Sequence, residues 1–253
     1  MVWPENSMRH RIDLNCDLGE GAGQDAELMP LITSANIACG AHAGDAATMR
    51  ATVALAQRHG VAIGAHPGYA DREHFGRREL NLSPARAGEL VRSQIEAIRA
   101  LAPLRHVKLH GALYHQSARD AELAESIAEA VRALDPALTL FVLPDSALAR
   151  AAAARGLRIA NEVFADRTYQ RDGSLTPRSR PDALIHDERD AVAQVLRLIR
   201  EGVVRATDGL DVPIRADTVC LHGDGPHPVA FARRLRGALH AANVEVRAFS
   251  PAA

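Results

Sequence analysis

Residues 12–18 read Ile-Asp-Leu-Asn-Cys-Asp-Leu, with apolar and polar side chains in strict alternation. Successive side chains of a strand point to opposite faces, so Asp13, Asn15 and Asp17 share one face. In a parallel sheet both faces are normally buried and apolar. The pattern therefore predicts a strand whose polar face lines a wet or charged interior. The alternative is an edge strand whose polar face meets solvent.

Short strand patterns recur along the chain, and helical patterns lie between them. Further strands are predicted over Ala35–Cys39, Val61–His66, His106–His110, Leu138–Leu143, Leu157–Glu162 and Thr218–His222, with an edge strand over Val244–Phe249. Strands that alternate with helices at this interval indicate parallel βαβ units. Seven or eight units with polar residues at the strand ends favour a TIM-like (β/α) barrel over an open doubly wound sheet.

The composition limits the classes of function. The chain has 253 residues and a net charge of -1, and aromatic residues make up 4%. A balanced charge with few aromatic residues predicts neither nucleic acid nor a membrane surface as a partner. No linker composition divides the chain, which predicts a single α/β barrel domain over residues 1–253, with residues 1–10 as a loose extension.

The three cysteines, Cys16, Cys39 and Cys220, are far apart and odd in number. They form no disulfide framework and no C-x-x-C zinc pair. Together with the absence of an apolar leader or a membrane-length apolar run, they predict a cytoplasmic protein.

Many polar side chains are predicted at the carboxyl ends of the strands, where barrel enzymes carry their sites. Besides Asp13, Asn15 and Asp17, the candidates are Asn36, His42, His66, Lys108, His110, Tyr114, Glu162, Asp166, Arg167, His222 and Asp224. Histidines and carboxylates together suggest acid–base or metal-assisted hydrolysis. Asp17, His42 and His66 are candidate ligands for a divalent metal, although no H-E-x-x-H motif supports them. Asp45 is interpreted either as a catalytic residue or as a helix N-cap.

Two further segments bear on the site. The inward Ala62 and Gly64 are predicted to leave room for a ligand. Residues 165–186 form a long arginine-rich connection, which predicts a lid whose exposed arginines bind a substrate carboxylate or phosphate. The alternative is a solvated, mobile connection.

Other chemistries lack their sequence motifs. The chain has no G-x-S-x-G nucleophile elbow and no G-x-x-x-x-G-K-[ST] phosphate loop. Residues 19–23 are glycine-rich and follow a strand, but they miss the dinucleotide spacing.

Seven segments in order resemble the LamB/YcsF family. They are DLNCDLGE (13–20), ANIACGAHAGD (35–45), GAHPGY (64–69), FGRR (75–78), KLHGALY (108–114), EVFADR (162–167) and HGD (222–224). Leu109 and His115 depart from the family pattern, which usually has Pro and Asn there. The resemblance implies a seven-stranded barrel of the glycoside hydrolase/deacetylase type. It also implies ATP-dependent opening of 5-oxoproline to L-glutamate together with partner subunits B and C.

Within that activity, the implied roles are a general base at Asp17 or Glu162 and an acid or oxyanion donor at His66 and His110. Lys108 and Arg167 would meet substrate or phosphate charge. ATP is expected to be handled with the partner subunits, because the chain carries no phosphate loop. Two alternatives remain: a metal-dependent deacetylase or amidohydrolase acting alone, and a non-catalytic subunit that presents 5-oxoproline to its partners.

Overall fold

The computed structural model describes residues 10–221 and 227–250. Within them the strands are β1 (Arg11–Leu18), β2 (Ser34–Ala38), β3 (Ala62–His66), β4 (His106–Lys108), β5 (Thr139–Val142), β6 (Arg158–Phe164), β7 (Val203–Arg205), β8 (Asp211–Pro213), β9 (Thr218–Leu221) and β10 (Glu245–Val246). The helices are α1 (Asp25–Leu28), α2 (Ala46–His59), α3 (Pro84–Arg99), α4 (Gly111–Arg119), α5 (Ala121–Leu134), α6 (Ala147–Ala154), α7 (Glu188–Glu201) and α8 (Pro228–Ala241), with a 3₁₀ turn at Met29–Leu31.

Seven parallel strands close into a barrel. Their order is β1-β2-β3-β4-β5-β6-β9, and β9 pairs back onto β1. Asn15 on β1 is level with Ser34 on β2 and with Cys220 on β9. β10 pairs in parallel with the first residues of β1, and β7 and β8 form a separate antiparallel hairpin. The predicted seven-stranded (β/α) barrel is therefore confirmed.

As predicted, β1 has one apolar face and one polar face. Leu14, Cys16 and Leu18 are fully buried in the apolar layer between barrel and helices. Each of the two leucines contributes about 1.5–3 kcal/mol when it is buried. Because β1 pairs with β2 on one side and β9 on the other, the edge-strand alternative for Asp13, Asn15 and Asp17 is wrong.

Local signals place the helices that follow the strands. The Asp45 carboxylate accepts a hydrogen bond from the Thr48 N–H at 2.8 Å and caps α2, which ends at Gly60 with φ +66°. Only a residue that tolerates the left-handed region closes a helix in this way. Asp45 is exposed, so the structure supports its capping role and not the catalytic one.

Two predictions about the strands, and one about the space inside the barrel, are wrong. β4 stops at Lys108 rather than His110, because the chain turns at Gly111 (φ +53°) into the unpredicted helix α4. The edge strand predicted over 244–249 is only Glu245–Val246. The space beside Gly64 is not open to a ligand, since a Cβ there would lie 2.1 Å from His106 Nε2.

No helix in the described ranges is long and apolar enough to cross a bilayer. The predicted extension at residues 1–10 falls, apart from His10, outside the described residues.

Candidate active site

The floor of the barrel is a layer of hydroxyl groups around Asp13. Its Oδ1 accepts hydrogen bonds from Thr33 Oγ1 and Ser34 Oγ, both at 2.7 Å, and its Oδ2 accepts one from Thr218 Oγ1. Burial raises the pKa of Asp13 despite these bonds. Asp13 does not reach the cavity described below, so the structure places it in the packing of the barrel and away from any substrate.

Above the floor lies a layer of neutral amide and imidazole groups. Asn36 Nδ2 donates to Asn15 Oδ1 at 2.7 Å, and His106 Nε2 lies 2.7 Å from Asn36 Oδ1. Burial lowers the pKa of His106 to about 3, so the ring is neutral and donates this bond. Its ring also stacks on Phe141. The layer fixes Asn36, which in turn donates to Asp17 Oδ1 at 2.8 Å.

Lys108 is the centre of a buried charge group. Its Nζ lies 2.8 Å from Asp17 Oδ1, 3.0 Å from Glu162 Oε1 and 3.0 Å from Cys220 Sγ. Burial lowers the pKa of Lys108, but Asp17 and its other acidic neighbours reverse the shift and raise that pKa well above the ordinary value. Lys108 therefore stays an ammonium group and stabilises negative charge, instead of acting as an amine nucleophile.

Two neighbours of this group remain protonated. Burial raises the pKa of the Cys220 thiol well above its usual value, so Cys220 is not a thiolate. Burial and the adjacent Glu162 also raise the pKa of Tyr114 well above the ordinary phenol value. Glu162 itself is fully buried and lies beneath the cavity surface.

Next to Lys108, three histidines surround Glu20. Glu20 Oε1 lies 3.0 Å from His42 Nε2, 3.3 Å from His110 Nδ1 and 3.7 Å from His66 Nε2. One ligand atom from each of the four residues lies within 4.8 Å of the others, so the cluster can hold a metal ion. Imidazole and carboxylate are the donors that Zn²⁺ and related divalent ions take in proteins.

The charges of this cluster are set by its surroundings. Burial opposes ionisation of Glu20, but its close contacts with His110 and His42 outweigh burial and lower the pKa of Glu20 to about 2. Burial lowers the pKa of His42 to about 4. Burial acts in the same direction on His66, whereas the Asp17 carboxylate, with Oδ2 at 3.3 Å, raises the pKa of His66 overall.

Glycines make this packing possible. The rings of His42 and His110 stack in parallel with their centroids 3.7 Å apart. A Cβ at Gly68 would lie 2.8 Å from His42 Nδ1, and one at Gly76 would lie 2.8 Å from His42 Cβ. Either substitution would therefore force the stacked rings to move.

A cavity of about 900 Å³ opens at the carboxyl end of the strands. Its inner wall includes Asp17, Glu20, His66, Lys108 and His110. Towards solvent it is lined by arginines: Arg77, Arg119, which pairs with Glu79, and Arg178. The base of the cavity thus combines carboxylates, imidazoles and an ammonium group, and its rim carries arginines beside the acidic Glu79, Asp145 and Asp172.

The connection at 165–186 folds along the wall of this cavity. Short antiparallel bridges join Arg167 to Leu184 and Tyr169 to Leu175. Arg167 is only 2% exposed, and its guanidinium donates to Thr176 O at 2.6 Å and Ala183 O at 3.3 Å. The prediction of an exposed Arg167 is therefore wrong, because these carbonyls hold the side chain inside the loop while it contributes to the wall.

The predicted site residues divide into groups by position. Asp17, His66, Lys108, His110, Tyr114 and Arg167 line the cavity. Asn15, Asn36, His42 and Glu162 support it from beneath or behind, and Asp13 and Asp166 do not line it. His222 and Asp224 lie outside the described residues. Of the three predicted metal ligands, His42 and His66 belong to the cluster, whereas Asp17 points at Lys108 and His66.

Sequence reasoning misses Glu20, and the part that His110 takes in the cluster, as features of a metal site. Glu20 follows β1 by two residues, and Gly19 with φ +74° turns the chain there. A carboxylate in the first loop at the carboxyl end of a barrel strand is a sequence signal that could have identified it. The dinucleotide motif compares only the glycines of residues 19–23, so it gives no information about the Glu20 carboxylate.

These features define the class: a closed parallel barrel with a titratable site at the carboxyl ends of its strands. The model of the LamB/YcsF family matches residues 12–253, and the chain belongs to that family. It is 52% identical over 250 residues to the 5-oxoprolinase A subunit of Bacillus subtilis strain 168, covering 95% of this chain and 97% of the relative.

Solved structures agree with this assignment. The lactam utilization protein from Thermus thermophilus superposes with a TM-score of 0.89 at 48% identity, covering 94% of this chain and 100% of that one. A family 4 carbohydrate esterase from Streptomyces lividans superposes with a TM-score of 0.53 at 12% identity, covering 96% and 94%. The second likeness shows the shared fold of a deacetylase-type barrel and nothing about activity.

Proposed function

We propose that this chain is the A subunit of a 5-oxoprolinase, which opens the lactam ring of 5-oxoproline to L-glutamate with hydrolysis of ATP. The names of relatives that match nearly the whole chain support this substrate. The observation that carries the chemistry is the position of Asp17, held between Lys108 Nζ at 2.8 Å and His66 Nε2 at 3.3 Å at the base of the cavity.

The coupling to ATP follows from the substrate. A five-membered lactam is an unstrained amide with a poor leaving group. Phosphorylation of its carbonyl oxygen gives an activated imidate. One water then adds to the ring carbon, the C–N bond breaks and the nitrogen takes a proton, leaving an acyl phosphate. A second water releases phosphate and L-glutamate.

The sequence has no phosphate loop, so we assign ATP and the phosphorylation step to partner subunits B and C. Ring opening belongs to this chain. The three described cysteines are free and buried, which supports a reducing, cytoplasmic compartment for the complex.

The distribution of charge orients the substrate. Its carboxylate faces the arginines at the rim, Arg77 and Arg178, because arginine binds carboxylates through paired N–H donors. The ring carbonyl carbon then lies near the base of the cavity. Lys108 stabilises negative charge that develops on oxygen, and Asp17 takes a proton from water and delivers it to the ring nitrogen.

The cluster of Glu20 with three histidines supports a divalent metal as a further component of the enzyme. Such an ion supplies Lewis acidity towards a carbonyl or phosphoryl oxygen.

The test is glutamate release from 5-oxoproline with ATP, measured for this chain alone, for subunits B and C alone and for all three together. We expect release only from the complete set, and its loss with Asp17→Asn in place of the wild-type chain. Robust turnover by this chain without ATP would contradict the proposal, and so would turnover by subunits B and C in the absence of this chain. Normal substrate binding by Asp17→Asn without turnover would exclude a role limited to presenting substrate.

A further inference from the structure

The inner nitrogens of two histidines face each other at the base of the cavity. His66 Nδ1 lies 2.8 Å from the carbonyl oxygen of Lys108, and His110 Nε2 lies 2.8 Å from that of Phe75. A carbonyl oxygen only accepts, so both outer nitrogens carry the proton. In neutral rings the inner nitrogens, His66 Nε2 and His110 Nδ1, are then left with lone pairs.

These two lone pairs converge with carboxylate oxygens. The inner nitrogens are 3.0 Å apart, and Glu20 Oε1 lies 3.3 Å from His110 Nδ1 and 3.7 Å from His66 Nε2. Acceptors at such distances repel one another unless a proton or a metal ion lies between them. The wall of the cavity adds the Asp17 carboxylate on the same side, with Oδ2 3.3 Å from His66 Nε2.

We infer that Glu20, His66 and His110 bind one divalent transition-metal ion as a three-ligand site open to the cavity, while His42 holds Glu20 in place without touching the ion. The ligand set rests on the geometry alone, and the use of the ion in ring opening rests on the proposed function.

The spacing of the three donor atoms fits such an ion. Zinc bonds of about 2.0–2.2 Å in tetrahedral geometry place neighbouring ligand atoms about 3.3–3.5 Å apart. The separations of 3.0, 3.3 and 3.7 Å bracket that value. All three residues line the cavity, which leaves a fourth position towards substrate, as in catalytic sites of this kind.

His42 does not fit as a fourth ligand together with His110. An imidazole binds a metal along the lone pair in its own plane, and the His42 and His110 rings are stacked with their planes parallel within 3° and their centroids 3.7 Å apart. Two stacked parallel planes share no point at which one ion could lie. The His66 ring, by contrast, is perpendicular to that of His110, at 89°.

The contacts of His42 indicate a supporting role. It is buried and does not line the cavity, and its Nε2 lies 3.0 Å from Glu20 Oε1. Its Nδ1 has no hydrogen-bond partner among the described residues. A ligating histidine nearly always donates its outer N–H to a carbonyl or carboxylate, as His66 and His110 do. Donation from His42 Nε2 to the carboxylate orients Glu20.

The test uses the purified full-length chain, stripped with a chelator and then titrated with Zn²⁺ by calorimetry and with Co²⁺ by visible absorption. We expect one ion per chain and the intense absorption of low-coordinate Co²⁺. Glu20→Gln, His66→Gln and His110→Gln should each weaken binding by more than about 100-fold, which exceeds the usual loss of a supporting hydrogen bond. His42→Gln keeps an N–H donor for Glu20 and should weaken it by about tenfold or less.

His115→Gln is the matched control, because His115 lines the same cavity outside the cluster. Its binding should equal that of the wild type, and circular dichroism should confirm that every variant is folded. Absence of stoichiometric binding by the folded wild-type chain would overturn the site. Binding that survives loss of His110 but not of His42 would overturn the ligand assignment. Neither result depends on turnover, so glutamate release by the complete enzyme assembled with an ion-free chain would overturn the use of the ion and leave the proposed function intact.

Discussion

Asp13 and Asp17 lie four residues apart on the same inward face of β1, yet their surroundings differ. Asp13 at the floor accepts hydrogen bonds from three hydroxyl groups and does not reach the cavity. Asp17 is 12% exposed at its side chain and faces Lys108 and His66, which are both titratable. A buried carboxylate surrounded by neutral hydroxyl groups serves packing, whereas one held between an ammonium group and an imidazole at a cavity is available for chemistry.

The largest expected effect concerns Asp17. Asp17→Asn keeps the size of the side chain and removes its charge, so glutamate formation by the complete enzyme should fall by about 10²–10⁴-fold. The melting temperature should fall only slightly, because Glu162 still lies 3.0 Å from Lys108 Nζ and balances its buried charge. Both are measured on one preparation. A variant that melts much lower while remaining active would place Asp17 with Asp13 as a packing residue.

The second prediction concerns Asp13, where substitution should reduce stability and leave the rate nearly unchanged. Asp13→Ala leaves the hydroxyl groups of Thr33, Ser34 and Thr218 without their acceptor, and should lower the free energy of unfolding by about 3 kcal/mol. Chemical denaturation measures it. The rate per folded molecule should stay within about twofold of the wild-type rate, since Asp13 does not reach the cavity. A large loss of rate in the folded fraction would contradict the division between floor and mouth.

The amide and imidazole layer that lies between Asp13 and Asp17 contains His106, and this histidine predicts a dependence of stability on pH. Burial lowers the pKa of His106 to about 3, below its ordinary value of 6.5. The unfolded chain therefore binds the proton more tightly than the folded one. The contribution of neutral His106 to the free energy of unfolding is complete above about pH 6.5 and is lost as pH falls towards 3. By pH 4.5 the loss is about 2–3 kcal/mol.

The measurement is the free energy of unfolding at pH 7 and pH 4.5 for wild type and His106→Gln. His42, with a lowered pKa, and His66, with a raised one, act in opposite directions and are present in both proteins. The difference between the proteins therefore isolates His106. An equal pH dependence in both would show that His106 is not held neutral.

The smallest expected effect is at the loop. Arg167→Met keeps the buried stem and removes the donors to Thr176 O and Ala183 O. Unfolding should become easier by about 1–2 kcal/mol, and limited proteolysis should cut within 165–186 sooner. Arg180→Met is the control, since Arg180 is exposed and pairs only locally with Asp182. A raised KM without faster proteolysis would assign Arg167 to substrate.

The alternation in residues 12–18 and its recurrence before each helix were sufficient to predict a closed parallel barrel with a polar interior. The residue types also identified four side chains at the base of the cavity, Asp17, His66, Lys108 and His110. Side-chain period along a strand is a local property, so it can be read without knowing which strands are neighbours.

Only the tertiary structure decided how deep in the barrel each of these side chains lies and which side chains it contacts. Asp13, Asn15 and Asp17 follow the same pattern, but only the register with β2 and β9 places Ser34 and Thr218 beside the first. Only the closed barrel brings Lys108 of β4 to the third. Likewise Glu20 joins His66 and His110 because loops after separate strands meet over one end of the barrel. These contacts join residues far apart in the chain, and their energies depend on distances that no local pattern contains.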